Sequence, residues 1–174
     1  MPKTLINSDV AGANVRLVRT KTPEQALAAL MRQCARAERC SGDALRLMHR
    51  WGVADEDAQK VLSRLVAERF IDDQRYADAY VREKSRFAGW GANKIRLSLR
   101  AKRLPAPVVE KALGQIDRAS SGESLLRIIG RKAERTPHKD VWDLKSKLLR
   151  FGLSRGFDYD EVVAAIEQTL RAKE

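Results

Sequence analysis

The chain has two cysteines, Cys34 and Cys40, and two histidines, His49 and His138, among 174 residues. Two thiols are too few to staple a fold. Six positions apart on a helical stretch, they point to different sides, so free thiols in a reducing compartment is the reading that follows. A zinc site here would need a CxxC-like spacing and a fourth ligand. Phosphate-loop, dinucleotide and nucleophile-elbow signatures are absent. The sequence therefore points away from an enzyme, with no metal and no cofactor expected. No segment approaches the run of about 18 apolar residues that a membrane span needs. Residues 1–21 lack the apolar centre of a signal peptide, and a cytoplasmic protein is expected. No stretch alternates as a half-buried strand does.

Positive charge is what the chain has in excess: 34 Lys and Arg against 23 Asp and Glu, a net charge of +11. That balance concerns partners and solubility, not fold. It favours nucleic acid, an acidic protein surface or an anionic membrane.

A helical pattern returns three times. Ala58, Val61 and Leu62 match Val109, Ala112 and Leu113, which match Val162, Ala165 and Ile166; the offsets are 51 and 53 residues. The same offsets align Gly52-Val53, Arg103-Leu104 and Gly156-Phe157. Within each copy the apolar spacing reads as three short helices. In the first, Thr22-Pro23-Glu24-Gln25 forms a capping box, Ser41 caps the second helix, Gly52 ends it, and Asp55 opens the third. In the second, Asp72 or Asp73 caps a helix broken by Gly89-Trp90-Gly91, Pro105 stops the next, and Pro107 suits the first turn of the last. The third opens on a capping box at Ser120–Glu123, restarts at Thr136-Pro137, and ends with Asp158 capping its last helix. The expectation is an all-α fold of three tandem three-helix modules, 22–71, 72–118 and 119–174, after a flexible arm over 1–21. Each module is too small for a core of its own, so neighbours must stack, and the array should be elongated and gently curved.

The charge is segregated along this array. Residues 43–73 hold seven acids and five bases, whereas Arg82 to Arg103 hold eight cations and one acid, Glu83. Arg75, Arg82, Lys84, Arg86, Lys94, Arg96, Arg100, Lys102 and Arg103 make the candidate contact surface, with Trp90 at its inter-helix turn. Arg131, Lys132, Lys145, Lys147, Arg150 and Arg155 form a secondary basic face. Segregation over two modules favours a binding surface over a solvated helix face of mixed sign. Tyr76, Tyr80 and Phe87 share a helical stripe and read as core in preference to base-stacking platforms. Trp90 either plugs a joint or faces a partner. Trp51 and Trp142 are expected to seal joints between modules, and Phe157 to plug the last helix pair. Asn93 with Lys94 and Arg96 is the one cluster that approximates a base-reading helix start, so phosphate contact without sequence readout is favoured.

The stretch Ile71-Asp72-Asp73-Gln74-Arg75-Tyr76-Ala77, followed by Val81-Arg82, Gly89-Trp90-Gly91, Ile95-Arg96 and Leu99-Arg100-Ala101-Lys102, resembles the signature of the RecX family. The resemblance runs over about residues 24–171 and takes in Arg155-Gly156-Phe157. It departs from the pattern at Ser98, where an acid often precedes Leu-Arg, and at Arg103, where a glycine usually ends the helix. The resemblance implies a non-enzymatic regulator of the RecA recombinase, and an inhibitor is expected. It implies binding in the groove of the RecA filament on single-stranded DNA, restraining ATP hydrolysis, strand exchange and self-cleavage of the SOS repressor. The partners implied are the RecA filament and single-stranded or duplex DNA, with no membrane and a monomeric chain. A non-specific DNA-binding module that competes for the strand is the alternative.

Overall fold

The computed structural model describes residues 20–172; the expected arm lies almost wholly outside them, its last residue, Lys21, donating its N–H to the Trp51 carbonyl at 2.9 Å. Among the described residues there are nine α-helices and no strand. They are α1 (Pro23–Cys34), α2 (Ser41–Arg50), α3 (Asp55–Ala67), α4 (Asp73–Arg86), α5 (Ala92–Ala101), α6 (Ala106–Leu113), α7 (Arg118–Arg135), α8 (Val141–Ser154) and α9 (Tyr159–Arg171). Helices pack chiefly within the groups α1–α3, α4–α6 and α7–α9, and α4 also touches α7.

Contrary to the expectation from module size, each group closes over its own buried cluster. Ala26, Leu30, Met48, Val61 and Leu65 lead the first, Ala77, Ile95, Leu99 and Val109 the second, and Ile129, Leu148, Val162 and Ile166 the third. The spacing of the repeat has a local structural cause. Gly52, Arg103 and Gly156 all take left-handed backbone, with φ of +68°, +62° and +88°. The next residue then donates its N–H back into the helix it follows: Val53 to Met48 O (3.1 Å), Leu104 to Leu99 O (3.3 Å), Phe157 to Gly152 O (3.4 Å). This closure satisfies a carbonyl that the helix end would leave bare, and it turns Val53, Leu104 and Phe157 into their cores. Arg103 thus makes the turn that its glycine counterparts make.

Several helix starts differ from expectation. Thr22 and Gln25 form their capping box, at 3.2 and 3.3 Å. Ser41, however, is the first residue of α2 and not its cap. Its N–H and hydroxyl both donate to Asp73, at 2.8 and 2.7 Å, so a carboxylate from α4 caps a helix of the preceding group. Asp72 caps α4 itself through the Arg75 N–H (3.0 Å). Ser120–Glu123 lie inside α7, because Asp117 captures the Ser120 N–H (2.9 Å) and starts the helix earlier. Thr136 does not restart a helix; its hydroxyl bonds back to Lys132 O (2.6 Å), and Asp140 caps α8 instead.

The aromatics divide. Tyr76 and Tyr80 stack at 5.9 Å and pack half-buried on the second core. Phe87 does not: it is 84% exposed, as the residue after the last turn of α4, where the helix has outrun its core. Trp142 is 81% exposed and seals nothing. With α8 starting at Val141, Trp142 falls on the face opposite Leu144 and Leu148. Trp51 packs on the first core and under the Lys21 ammonium. Phe157 is buried in the third core. Cys34 and Cys40 are free and separated by the α1–α2 turn; Cys40 is buried among residues of the second core, although it precedes α2. That burial pushes its thiol pKa up to about 11, so it acts as a small apolar plug.

Candidate nucleic-acid interface

The cations between Arg75 and Arg103 form no single surface. Many are drawn into two joints between helix groups. At the first joint, Gly42 lies so close to the Lys102 carbonyl that a Cβ there would overlap it. Around it, Lys102 Nζ donates to Asp43 Oδ2 at 2.9 Å, Arg46 pairs with the same carboxylate and reaches Ala101 O (3.2 Å), and Arg75 pairs with Glu38 at 2.8 Å. Burial opposes the charge on Asp43, but the Lys102 hydrogen bond and charge, with Arg46, outweigh it and hold the carboxyl below its ordinary pKa.

The second joint uses backbone. Gly91 N–H donates to Arg155 O (2.8 Å) and Asn93 N–H to Gly156 O (3.1 Å). A Cβ on Gly91 or Gly156 would overlap backbone of the other strand of the joint. Lys94 Nζ donates to Ser154 O (3.2 Å) and Arg155 Nη1 to Ala88 O (3.5 Å). The Asn93 amide donates to Asp158 (2.7 Å) and accepts from Arg96 (2.7 Å), so the one candidate base reader is engaged inside the protein.

Other predicted cations are neutralised nearby. Arg96 forks onto Glu110 at 2.9 and 3.2 Å, which raises the guanidinium pKa, and Arg100 reaches the same carboxylate at 3.6 Å. Lys84 pairs with Glu83 (2.8 Å). Lys84 and Lys94 also lie over the Trp90 ring, at 5.5 and 4.7 Å. Trp90 is half-buried on the second core, so it serves as a plug with a cationic cover. On the secondary face, Lys147 pairs with Asp143 (2.7 Å), Arg150 reaches Ser146 O (3.4 Å), and Lys132 and Arg155 lie over Phe151. Arg131 and Lys145 are exposed with no ion partner among the described residues.

What remains open is a cleft of about 360 Å³ between α4 and α7, lined by Arg82, Arg86 and Arg127 together with Ser85, Ser121 and Ser124. None of the three guanidinium groups has an ion partner among the described residues. Of the cleft's carboxylates, Asp78 is held by the amides of Gln74 (2.7 Å) and Gln115 (2.9 Å), Asp117 caps α7, and Glu123 is exposed. Three guanidinium groups with hydroxyls between them suit phosphate oxygens. Arg127 was absent from the predicted contact set. Its signal was its i, i+4 spacing to Arg131 on one helix face.

Residues 72–113 match the family model described as RecX, second three-helix domain. A protein of Clostridium botulinum (strain Eklund 17B) named Regulatory protein RecX is 34% identical over 67% of this chain and 55% of its own length. The chain belongs to the RecX family. A Mycolicibacterium smegmatis protein of the same name is 30% identical over 64% of this chain and 63% of its own, and a Prosthecochloris aestuarii one 29% over 71% and 79%. The chain spans about half the length of several curated relatives it matches. The fold is that of the RecX crystal structure from Lactobacillus salivarius, with TM-score 0.75 and 20% identity over 84% of this chain and 96% of that one. A second RecX crystal structure gives TM-score 0.78, again at 20% identity, covering 84% and 73%. Among the described residues, no helix is long and apolar enough to cross a membrane.

Proposed function

We propose that this chain is a cytoplasmic, non-enzymatic regulator of the RecA recombinase that binds along the RecA–single-stranded DNA filament as a monomer. It inhibits ATP hydrolysis, and with it strand exchange and co-protease activity. Family membership supports the partner. One observation of this chain carries the mode of action: cations without counter-charge, Arg82, Arg86 and Arg127, face one cleft shared by two helix groups, which backbone hydrogen bonds with Lys94 in support lock together. A body locked in this way presents several weak contacts at fixed spacing, which is how a modest basic surface gains avidity on a repeating filament. Binding one filament state better than another is what makes such a contact regulatory.

The test is RecA's strand-dependent ATP hydrolysis, titrated with this chain while DNA is in excess. Inhibition far below one copy per DNA site is expected. Inhibition that appears only as the strand saturates, and that more DNA relieves, would show competition for DNA instead.

A further inference from the structure

A second basic recess draws three of its four arginines from the helix group whose sequence looks least basic. At the first joint, α2 and the turn after α5 enclose a recess of about 450 Å³ lined by Arg39, Arg46, Arg50, His49, Asp43 and Arg103. Four guanidinium groups meet one carboxylate there, and Asp43 is already taken by Arg46 and Lys102. Arg50 and Arg103 are exposed and have no ion partner among the described residues. Arg39 Nε is buried with no hydrogen-bond partner, the one such side-chain atom found among the described residues. A buried guanidinium N–H without an acceptor costs free energy, so the fold holds Arg39 at the recess at some expense.

Arg103 adds an independent observation. It stands at φ +62°, where the two equivalent turns carry Gly52 and Gly156. Glycine takes that backbone freely, whereas an arginine takes it at a cost. The arginine side chain lines the recess, so the strained position carries a cation where its counterparts carry no side chain at all.

We infer that this recess binds a phosphate group through Arg39, Arg46, Arg50 and Arg103. The phosphate belongs either to a nucleic-acid strand or to a free polyphosphate. Where it belongs to a strand, the inference rests on the function proposed above, and the recess supplies a DNA contact well separated in sequence from the α4–α7 cleft.

The experiment uses the full chain and no RecA, so the fate of this site and of the proposed regulation are read separately. One arm follows a fluorescein-labelled oligothymidylate by anisotropy across a salt series; the other measures tripolyphosphate binding by calorimetry. Arg103→Gly and Arg50→Gln are compared with the parent, with Tm recorded for each. Both variants should weaken binding in at least one arm about three- to tenfold, with Arg103→Gly as stable as the parent or more so. If the strand is the source, each variant should also lower the slope of log affinity against log salt by about 0.7. Loss in the tripolyphosphate arm alone would identify a free polyphosphate. Unchanged affinity in both arms, or no measurable binding by the parent in either, would overturn the inference.

Discussion

The two joints solve one problem with different chemistry. Both bring the start of a group's second helix, Gly42 or Gly91, against the left-handed turn of the next group, at Arg103 or Gly156. The first is tied by charged side chains: Asp43 with Lys102 and Arg46, Glu38 with Arg75, Asp73 with Ser41. The second is tied by backbone N–H and carbonyl groups, with Asn93 and Lys94 in support. A repeat can therefore keep its geometry while exchanging what holds it. A run of cations is accordingly poor evidence of a contact surface until the partners of each are known.

The largest effect should come from filling either glycine contact. Gly42→Ala and Gly91→Ala each force a methyl into backbone of the adjoining group, and each should cost about 3 kcal/mol or more, read as a fall in the denaturant midpoint. Equal effects at the two sites would confirm that the joints are equivalent in shape.

Polar deletions should then separate them. Asp43→Ala leaves Lys102, half-buried, without its counter-charge and should cost about 2–3 kcal/mol. Asn93→Ala removes hydrogen bonds to the Asp158 carboxylate and from the Arg96 guanidinium but leaves both charges near solvent and the backbone pair intact, and should cost about 1.5 kcal/mol. The reverse order would break the distinction.

Acid should separate them further. The Asp43 carboxyl is held below its ordinary pKa, so its stabilising contribution is present above the unfolded value of about 4 and is lost as pH falls through the folded one. Amides of α2 should lose hydrogen-exchange protection before those of α8 as pH falls from about 5 to 3. Simultaneous loss would mean that Asp43 does not hold the first joint.

The smallest effect distinguishes the adjacent carboxylates. Asp72→Ala should cost about 1 kcal/mol through α4 alone. Asp73→Ala should cost somewhat more, because its bonds to Ser41 cross into α2. Equal costs, with α2 undisturbed in its exchange pattern, would refute the cross-group cap.

The repeat itself was legible in the sequence. The offsets of 51 and 53 coincide with the three left-handed turns, because each such turn is a local event set by five or six residues. Helix starts were less legible. Asp117 lies three residues before Ser120 and Asp140 four residues after Thr136, and in both places a carboxylate caps the helix where a hydroxyl was expected to. What the sequence hid was pairing at long separation. Arg75 finds Glu38 37 positions away, Lys102 finds Asp43 59 away, and Lys94 finds Ser154 60 away. Each looked like a free cation because its partner lies in another group. The recess cations Arg46 and Arg50 were hidden in the opposite way, averaged against the acids of the helix that follows.

The central claim is that uncompensated cations make the contact while joint cations hold the shape. Filament affinity of Arg82→Glu/Arg86→Glu/Arg127→Glu, measured beside Tm on RecA assembled on single-stranded DNA, tests it most directly. Affinity should fall by at least a hundredfold with Tm and helical circular dichroism unchanged. Parental affinity in the triple variant would contradict the account, and the open cleft between α4 and α7 would then not be where this protein meets its filament.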